Sequence, residues 1–410
     1  MDFYTITAIL ITFSIGVAYI NLRFIGMPMT IGVMFAALLT SGLLIFADAL
    51  GFHALEHKAI VLAGTIDFHD FLMNGILSFL LFAGGLSIHL EHLKRQKWEI
   101  SILASLGTIS SAMLVGTLVY YLLSLLGVHL QYIYCLLFGA LISPTDPIAV
   151  LALFKSLKAP KESSILLEGE SLFNDGVGIV IFLTIYQVAF HGVPPTFSSV
   201  SLLFLKQAIG GIAYGYILGW ITVRLLKPIH DSHMPVLLTL ALVTGGYAFA
   251  EFLDVSGPLA MVVAGIVIGH LGRSSFLSDN QNNYLEQFWS ILDEVLNAIL
   301  FLMIGFELLL VKISGIELIA GIAVIPLVLL VRFITVAIPM GVMKQKKIAY
   351  WPMVSLLTWG GLRGGLAVAL ALSLPAGDYR SIILTMTYCI VVFAIIVQGM
   401  TVKPFIRKIV

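Results

Sequence analysis

The sequence predicts an all-α polytopic membrane protein of about 13 transmembrane helices, and three observations carry that reading. The apolar fraction is 60% and the charged fraction only 11%, against the ~45–50% and ~25% of a soluble domain. Stretches of about 20 apolar residues, enough for a helix to cross ~30 Å of hydrocarbon, recur along the whole chain. The positive charges, finally, fall in alternate loops.

The candidate segments run roughly from 3 to 21, 28 to 47, 71 to 89, 99 to 126, 131 to 154, 163 to 190, 200 to 225, 235 to 253, 257 to 271, 287 to 310, 316 to 343, 349 to 374 and 380 to 402, with ends placed to within ~2–4 residues. The ninth is short, and without it the count is twelve. With the N-terminus outside, the inner loops collect Arg23; Lys94, Arg95 and Lys97; Lys155, Lys158 and Lys161; Arg224 and Lys227; Arg273; Lys344, Lys346 and Lys347; and Lys403, Arg407 and Lys408. The outer loops keep only Lys58, Lys206, Lys312 and Arg380, while Arg332 and Arg363 fall inside helices. A helix missed or invented in mid-chain would scramble this segregation. It therefore supports the odd count, an external N-terminus and a cytoplasmic C-terminus.

Lys plus Arg equals Asp plus Glu at 22 each, and no basic block points to nucleic acid. Cys135 and Cys389 sit in apolar runs without metal-ligand spacing and read as packing residues. Asp2 stands where a secretory signal would carry a basic residue, so the first segment is expected to stay as a helix. About eight residues follow the last segment, and no soluble domain is expected.

An ionisable group at membrane depth costs at least ~2.5–3.5 kcal/mol, which makes each one a functional candidate. The fifth segment carries Ser143-Pro144-Thr145-Asp146-Pro147, where two prolines each remove a donor and push the preceding residue out of helical geometry. The helix is expected to unwind around Thr145 and Asp146 and free backbone carbonyls. The twelfth carries Trp359-Gly360-Gly361-Leu362-Arg363-Gly364-Gly365, in which four glycines permit irregular backbone around one guanidinium. Two interruptions seven helices apart predict an inverted repeat of 6+6, segments one to six matching eight to thirteen, with a binding site near the midplane.

The sixth segment carries Glu168-Gly169-Glu170-Ser171-Leu172-Phe173-Asn174-Asp175-Gly176. At ~100° per residue Glu170 stacks under Asn174 and Ser171 under Asp175, all four on one stripe. Counted from Ser163 on the inner side, Asp175 lies roughly 18 Å along the helix at 1.5 Å per residue, a little past the midplane. Hard oxygen ligands suit a monovalent cation. Asp146, Glu170 and Asp175 supply three potential negatives at depth against two positives from Arg332 and Arg363. One uncompensated carboxylate remains, to hold a cation or a proton. It is assigned to Asp175, with Asp146 and Glu170 paired to the arginines; Glu168, one turn nearer the cytoplasm, is left out of the count as wet. Whether Arg363 pairs with Glu170 or with Asp146 stays open.

In these residues the chain resembles the bacterial sodium/proton antiporters of NhaP type, within the first monovalent cation/proton antiporter family. The matching runs are Phe138-Gly139-Ala140 with Ser143 to Pro147, then Glu168 to Gly176, then Gly361-Leu362-Arg363-Gly364. The resemblance implies an elevator-like transporter in a bacterial inner membrane: core helices at 98–190 and 315–410, and scaffold helices at 1–97 and 191–314 that form a homodimer. It implies cation ligands at Glu170, Ser171, Asp175, the Thr145 main chain and, through water, Asp146. The Asn174-Asp175 pair implies electroneutral exchange of one cation for one proton. No cofactor is implied beyond the transported Na+, Li+ or K+ and H+.

Other features read more plainly. His53-Ala54-Leu55-Glu56-His57 matches a short metalloprotease pattern but lies in an outer loop with no evident third ligand. His89 and His92 read as interfacial. Gly211, Gly215 and Gly219, like Gly265 and Gly269, repeat every four residues and predict close helix packing. Asp293, Glu294 and Asn297 are expected to start the tenth helix, as structural hydrogen-bonding groups in preference to the lining of an access funnel. A channel would need a filter-like repeat, which is not seen. A sodium-coupled solute symporter is the remaining alternative class, and sodium is not separated from potassium.

Overall fold

The computed structural model describes residues 3–27, 29–50, 71–88, 90–157, 161–273, 277–307, 315–343 and 350–407. The His53 to His57 pattern, His89 and the Lys344 to Lys347 cluster lie outside the described residues. Over the described residues, each of the thirteen predicted segments is helical. The first are α1 (Phe3–Ile20), α2 (Met29–Ala49), α3 (Leu77–Ser87) and α4 (Thr108–Leu125). The fifth segment divides into α5 (Tyr132–Ile142) and α6 (Ile148–Leu157), whereas the sixth is one long helix, α7 (Lys161–Phe190). Next come α8 (Phe197–Leu226), α9 (Met234–Phe252), α10 (Gly257–Leu271), α11 (Asp279–Glu307) and α12 (Gly315–Met343). The twelfth segment divides again, into α13 (Tyr350–Trp359) and α14 (Gly365–Leu372), and α15 (Asp378–Phe393) follows. Among the described residues 8 helices are long and apolar enough to cross a membrane.

Helix ends follow local chemistry. Thr196 caps α8 by accepting the Ser199 N–H at 3.2 Å, and Ser256 caps α10 by accepting that of Leu259 at 3.3 Å. The start of α11 differs from the sequence reading. It begins at Asp279, so Asp293, Glu294 and Asn297 sit in mid-helix instead of at its start. Hydropathy misses a polar first turn, but a capping box sets this one: the Ser278 N–H donates to Gln281 Oε1 at 3.0 Å and the Gln281 N–H to Ser278 Oγ at 3.3 Å.

The chain forms two compact units, one of Met1–Leu72, Ser111–Ser164 and Val295–Val410, the other of Met73–Ser110 and Ile165–Glu294. In the second, α3 and α8 pack on α10 along glycine seams. A Cβ on Gly269 would lie 2.5 Å from the Leu86 carbonyl oxygen, and one on Gly215 would lie 2.8 Å from Ala260 Cα. The four-residue glycine repeats therefore are close-packing sites, as expected. Buried Trp289 packs its ring 4.6 Å from that of Phe82 and donates its indole N–H to Thr239 Oγ1 at 3.0 Å.

In the first unit α12 packs against α15, with Gly321 meeting Cys389 and the Thr385 carbonyl. Ser41 on α2 donates to the Gly305 carbonyl on α11 at 2.8 Å. Tyr134 on α5 stacks on Tyr379 of α15 with ring centroids 4.3 Å apart. Both cysteines are free. This unit holds the two divided helices.

Candidate cation site

The break between α5 and α6 follows from Pro144 and Pro147, which contribute no N–H. Ser143, still in helical geometry, turns its hydroxyl back to the Gly139 carbonyl at 2.6 Å. Asp146 then restarts the helix: its Oδ1 accepts the Ile148 N–H at 3.0 Å, and the Pro147 carbonyl accepts the Leu151 N–H at 2.8 Å. Between these points the backbone must find partners elsewhere.

It finds them in the other break, within the same unit. The Asp146 N–H donates to the Leu362 carbonyl at 2.8 Å, an isolated antiparallel bridge between the two interruptions. Arg363 Nη1 donates to the Pro144 carbonyl at 3.1 Å, so the guanidinium serves one of the carbonyls that the proline break frees. Arg332 on α12 donates through Nε to the Leu357 carbonyl at 3.2 Å, near the end of α13. Glycine is required on the α13–α14 side. A Cβ on Gly364 would lie 2.8 Å from Asp146 Cβ, and one on Gly361 would lie 2.9 Å from Arg332 Nε. Thr145, Arg332 and Arg363 are buried, and Asp146 is half-buried.

These contacts contain partners that the sequence reading did not name. Arg332 and Arg363 each hold a backbone carbonyl of the broken helices, a kind of partner that side-chain charge alone does not point to. Gln398, at the end of the π-helical turn Ala394–Gln398, is a further partner absent from the reading of the sequence; its Nε2 donates to the Trp359 carbonyl at 3.0 Å. A lone amide in an apolar run is the signal that would have found it.

The acidic stripe lies on α7, in the other unit. Asn174 Nδ2 donates to Glu170 Oε1 at 2.9 Å, the i to i+4 contact expected from helical spacing, and both side chains are fully buried. Ser171 is buried one residue on, and Asp175 is half-buried. Gly169 and Gly176 flank the stripe against Ile100 and Leu259. Glu168 is half-buried and accepts from Ser87 Oγ at 3.4 Å. On α7, Glu170 and Asp175 thus differ in setting: Glu170 is enclosed with a donor on it, whereas Asp175, like Glu168, keeps part of its surface accessible.

Residues 9–408 match the family described as sodium/hydrogen exchanger, transmembrane. The chain is 44% identical over 395 residues to the Na(+)/H(+) antiporter NhaP of Pseudomonas aeruginosa, covering 95% of this chain and 93% of that protein. It is 35% identical over 383 residues to the Na(+)/H(+) antiporter NhaH of Halobacillus aidingensis, covering 91% of each. In fold it resembles the sodium proton antiporter MjNhaP1 from Methanocaldococcus jannaschii, with a TM-score of 0.76 at 19% identity over 98% of this chain and 100% of that one. These likenesses define a secondary transporter of the membrane, not an enzyme. The chain belongs to the sodium/hydrogen exchanger family.

Proposed function

We propose that the chain exchanges Na+ or Li+ for H+ across a bacterial cell membrane, one for one, with Asp175 carrying either cation or proton in turn. The observation that carries this reading is the split between Glu170 and Asp175, the two acids of the α7 stripe that holds Asn174 and Ser171. The Asn174 amide is committed to Glu170, which makes Glu170 the fixed acid and the half-buried Asp175 the one that ions reach. The names of the similar antiporters support sodium as the cargo. Ser171 and Glu170 act as neighbouring ligands, and the family resemblance adds the Thr145 main chain and Asp146. Arg332 and Arg363 serve as fixed positive charges of the core. The helices at 98–190 and 315–410 move in an elevator-like manner against those at 1–97 and 191–314, in a homodimer with its N-terminus outside and C-terminus cytoplasmic.

Transport in proteoliposomes tests this. A sodium gradient is imposed and internal pH followed, with and without a clamp on membrane potential. Proton movement that follows the sodium gradient and ignores the potential is expected. Current that scales with turnover would remove the one-for-one stoichiometry, a response to potassium alone would change the cargo, and solute uptake without proton movement would favour a symporter.

A further inference from the structure

Between α12, the α13–α14 break and the turn after α15 lies a cavity of about 10 Å³, lined by Arg332, Thr358, Gly361, Arg363 and Gln398 at its polar side and by residues such as Val328 and Ile390 at its apolar side. That volume is the room one water molecule needs, and a buried water typically takes two to four polar partners. Thr358 supplies the second observation. Its hydroxyl oxygen is buried and has no hydrogen-bond partner among the described residues. An orphaned buried hydroxyl is uncommon and asks for a partner from solvent. Arg332, Arg363 and Gln398 each expose under a tenth of their surface, so a molecule held on this polar side is largely shielded.

We infer that this cavity is a binding site for a single structural water, which joins the Thr358 hydroxyl to the guanidinium groups of Arg332 and Arg363. The chemistry fits. A water oxygen accepts from guanidinium donors, of which each arginine carries five, while its own hydrogens reach the Thr358 oxygen. Water is favoured over a small anion because the room is that of one water molecule, and because water can both accept from a guanidinium and donate to the Thr358 oxygen, whereas a halide only accepts. The consequence is positional. Arg332 already holds the Leu357 carbonyl and Arg363 the Pro144 carbonyl. Linking both to Thr358 fixes the two arginines with respect to the break between Trp359 and Gly365. Thr358 is therefore a positioning residue for the core, whichever cation the protein exchanges.

A high-resolution map of the wild-type protein tests the site without reference to transport. An ordered solvent peak within hydrogen-bond distance of Thr358 Oγ1 and of at least one guanidinium is expected. Thr358→Val, which keeps the shape and removes the hydroxyl, should lose that peak and slow turnover several-fold; Thr358→Ser should keep the peak and restore turnover. The absence of a peak in the wild type overturns the inference, as does anomalous signal in the cavity after bromide exchange, which would mark an anion site. Wild-type turnover and melting temperature in the valine variant would also overturn it. Should that variant fail to fold, the wild-type map and the serine variant decide.

Discussion

The Asp146 N–H and the Leu362 carbonyl meet at 2.8 Å, tying the two interrupted helices together at the points where each leaves its own hydrogen-bond ladder. The approach depends on Gly364, where a Cβ would run into the Asp146 side chain. Gly364→Ala should destabilise the protein by about 1–3 kcal/mol, the usual effect of overpacking a well-filled site, and reduce exchange sharply. Gly42→Ala on α2, where a Cβ meets nothing within 4 Å, is the control and should behave as wild type. Thermal unfolding in detergent, read beside proteoliposome transport, checks both.

The Asn174 to Glu170 hydrogen bond is buried at both ends. Removing the amide leaves a buried carboxyl short of a donor, worth about 1–3 kcal/mol. Asn174→Ala should therefore lose stability as well as transport, whereas Asp175→Asn, near in shape and only half-buried, should insert and unfold like wild type while exchange is abolished. Wild-type turnover in Asp175→Asn would remove it as the carrier.

Arg273 closes the end of α3. Its Nη2 donates to the Leu86 carbonyl at 2.8 Å, Nη1 to that of Ile88 at 3.1 Å and Nε to Glu286 Oε1 at 2.8 Å. The carbonyl contacts satisfy groups that a helix end leaves open, whereas Glu286 is 48% exposed and its pairing counts for little in stability. Arg273→Ala should destabilise by about 2 kcal/mol and Arg273→Lys nearly as much, since lysine lacks the fork. Glu286→Gln should change stability by less than about 1 kcal/mol. Equal losses in Arg273→Ala and Glu286→Gln would show that the ion pair, and not the carbonyl capping, matters.

Asp231, in the exposed turn before α9, accepts the His233 and Met234 N–H groups at 2.8 and 2.9 Å. These backbone donors hold its carboxyl below the ordinary carboxylate range. A depressed value means that its contribution to stability is present above the unfolded-state value of ~3.9 and disappears as pH falls through the folded-state value. Asp231→Ala should thus lower the melting temperature equally at pH 8 and pH 9, above the range in which the charge of neighbouring His233 adds to the effect, and the difference should close only in strong acid. A gap that narrows between pH 8 and pH 9 would contradict this.

Much of this protein was legible residue by residue. Pro144 and Pro147 forecast the first interruption because proline removes a donor wherever it stands, and the glycines from Gly360 to Gly365 forecast the second. Helical period alone placed Asn174 over Glu170. The capping box at Ser278 and Gln281 was equally local, and reading hydropathy without it put the start of α11 too late.

The sequence by itself determined the helices, their interruptions and the acidic stripe, because lipid forces each backbone segment to satisfy its own polar groups and leaves period and proline to say how. Tertiary structure decided the partners. That Arg363 donates to the Pro144 carbonyl, that Asp146 bonds Leu362 and that Thr358 faces a water-sized cavity depend on chain segments more than 200 residues apart in the first two cases. A broken helix announces that it has carbonyls to offer; only the packing of its neighbours determines which donor arrives.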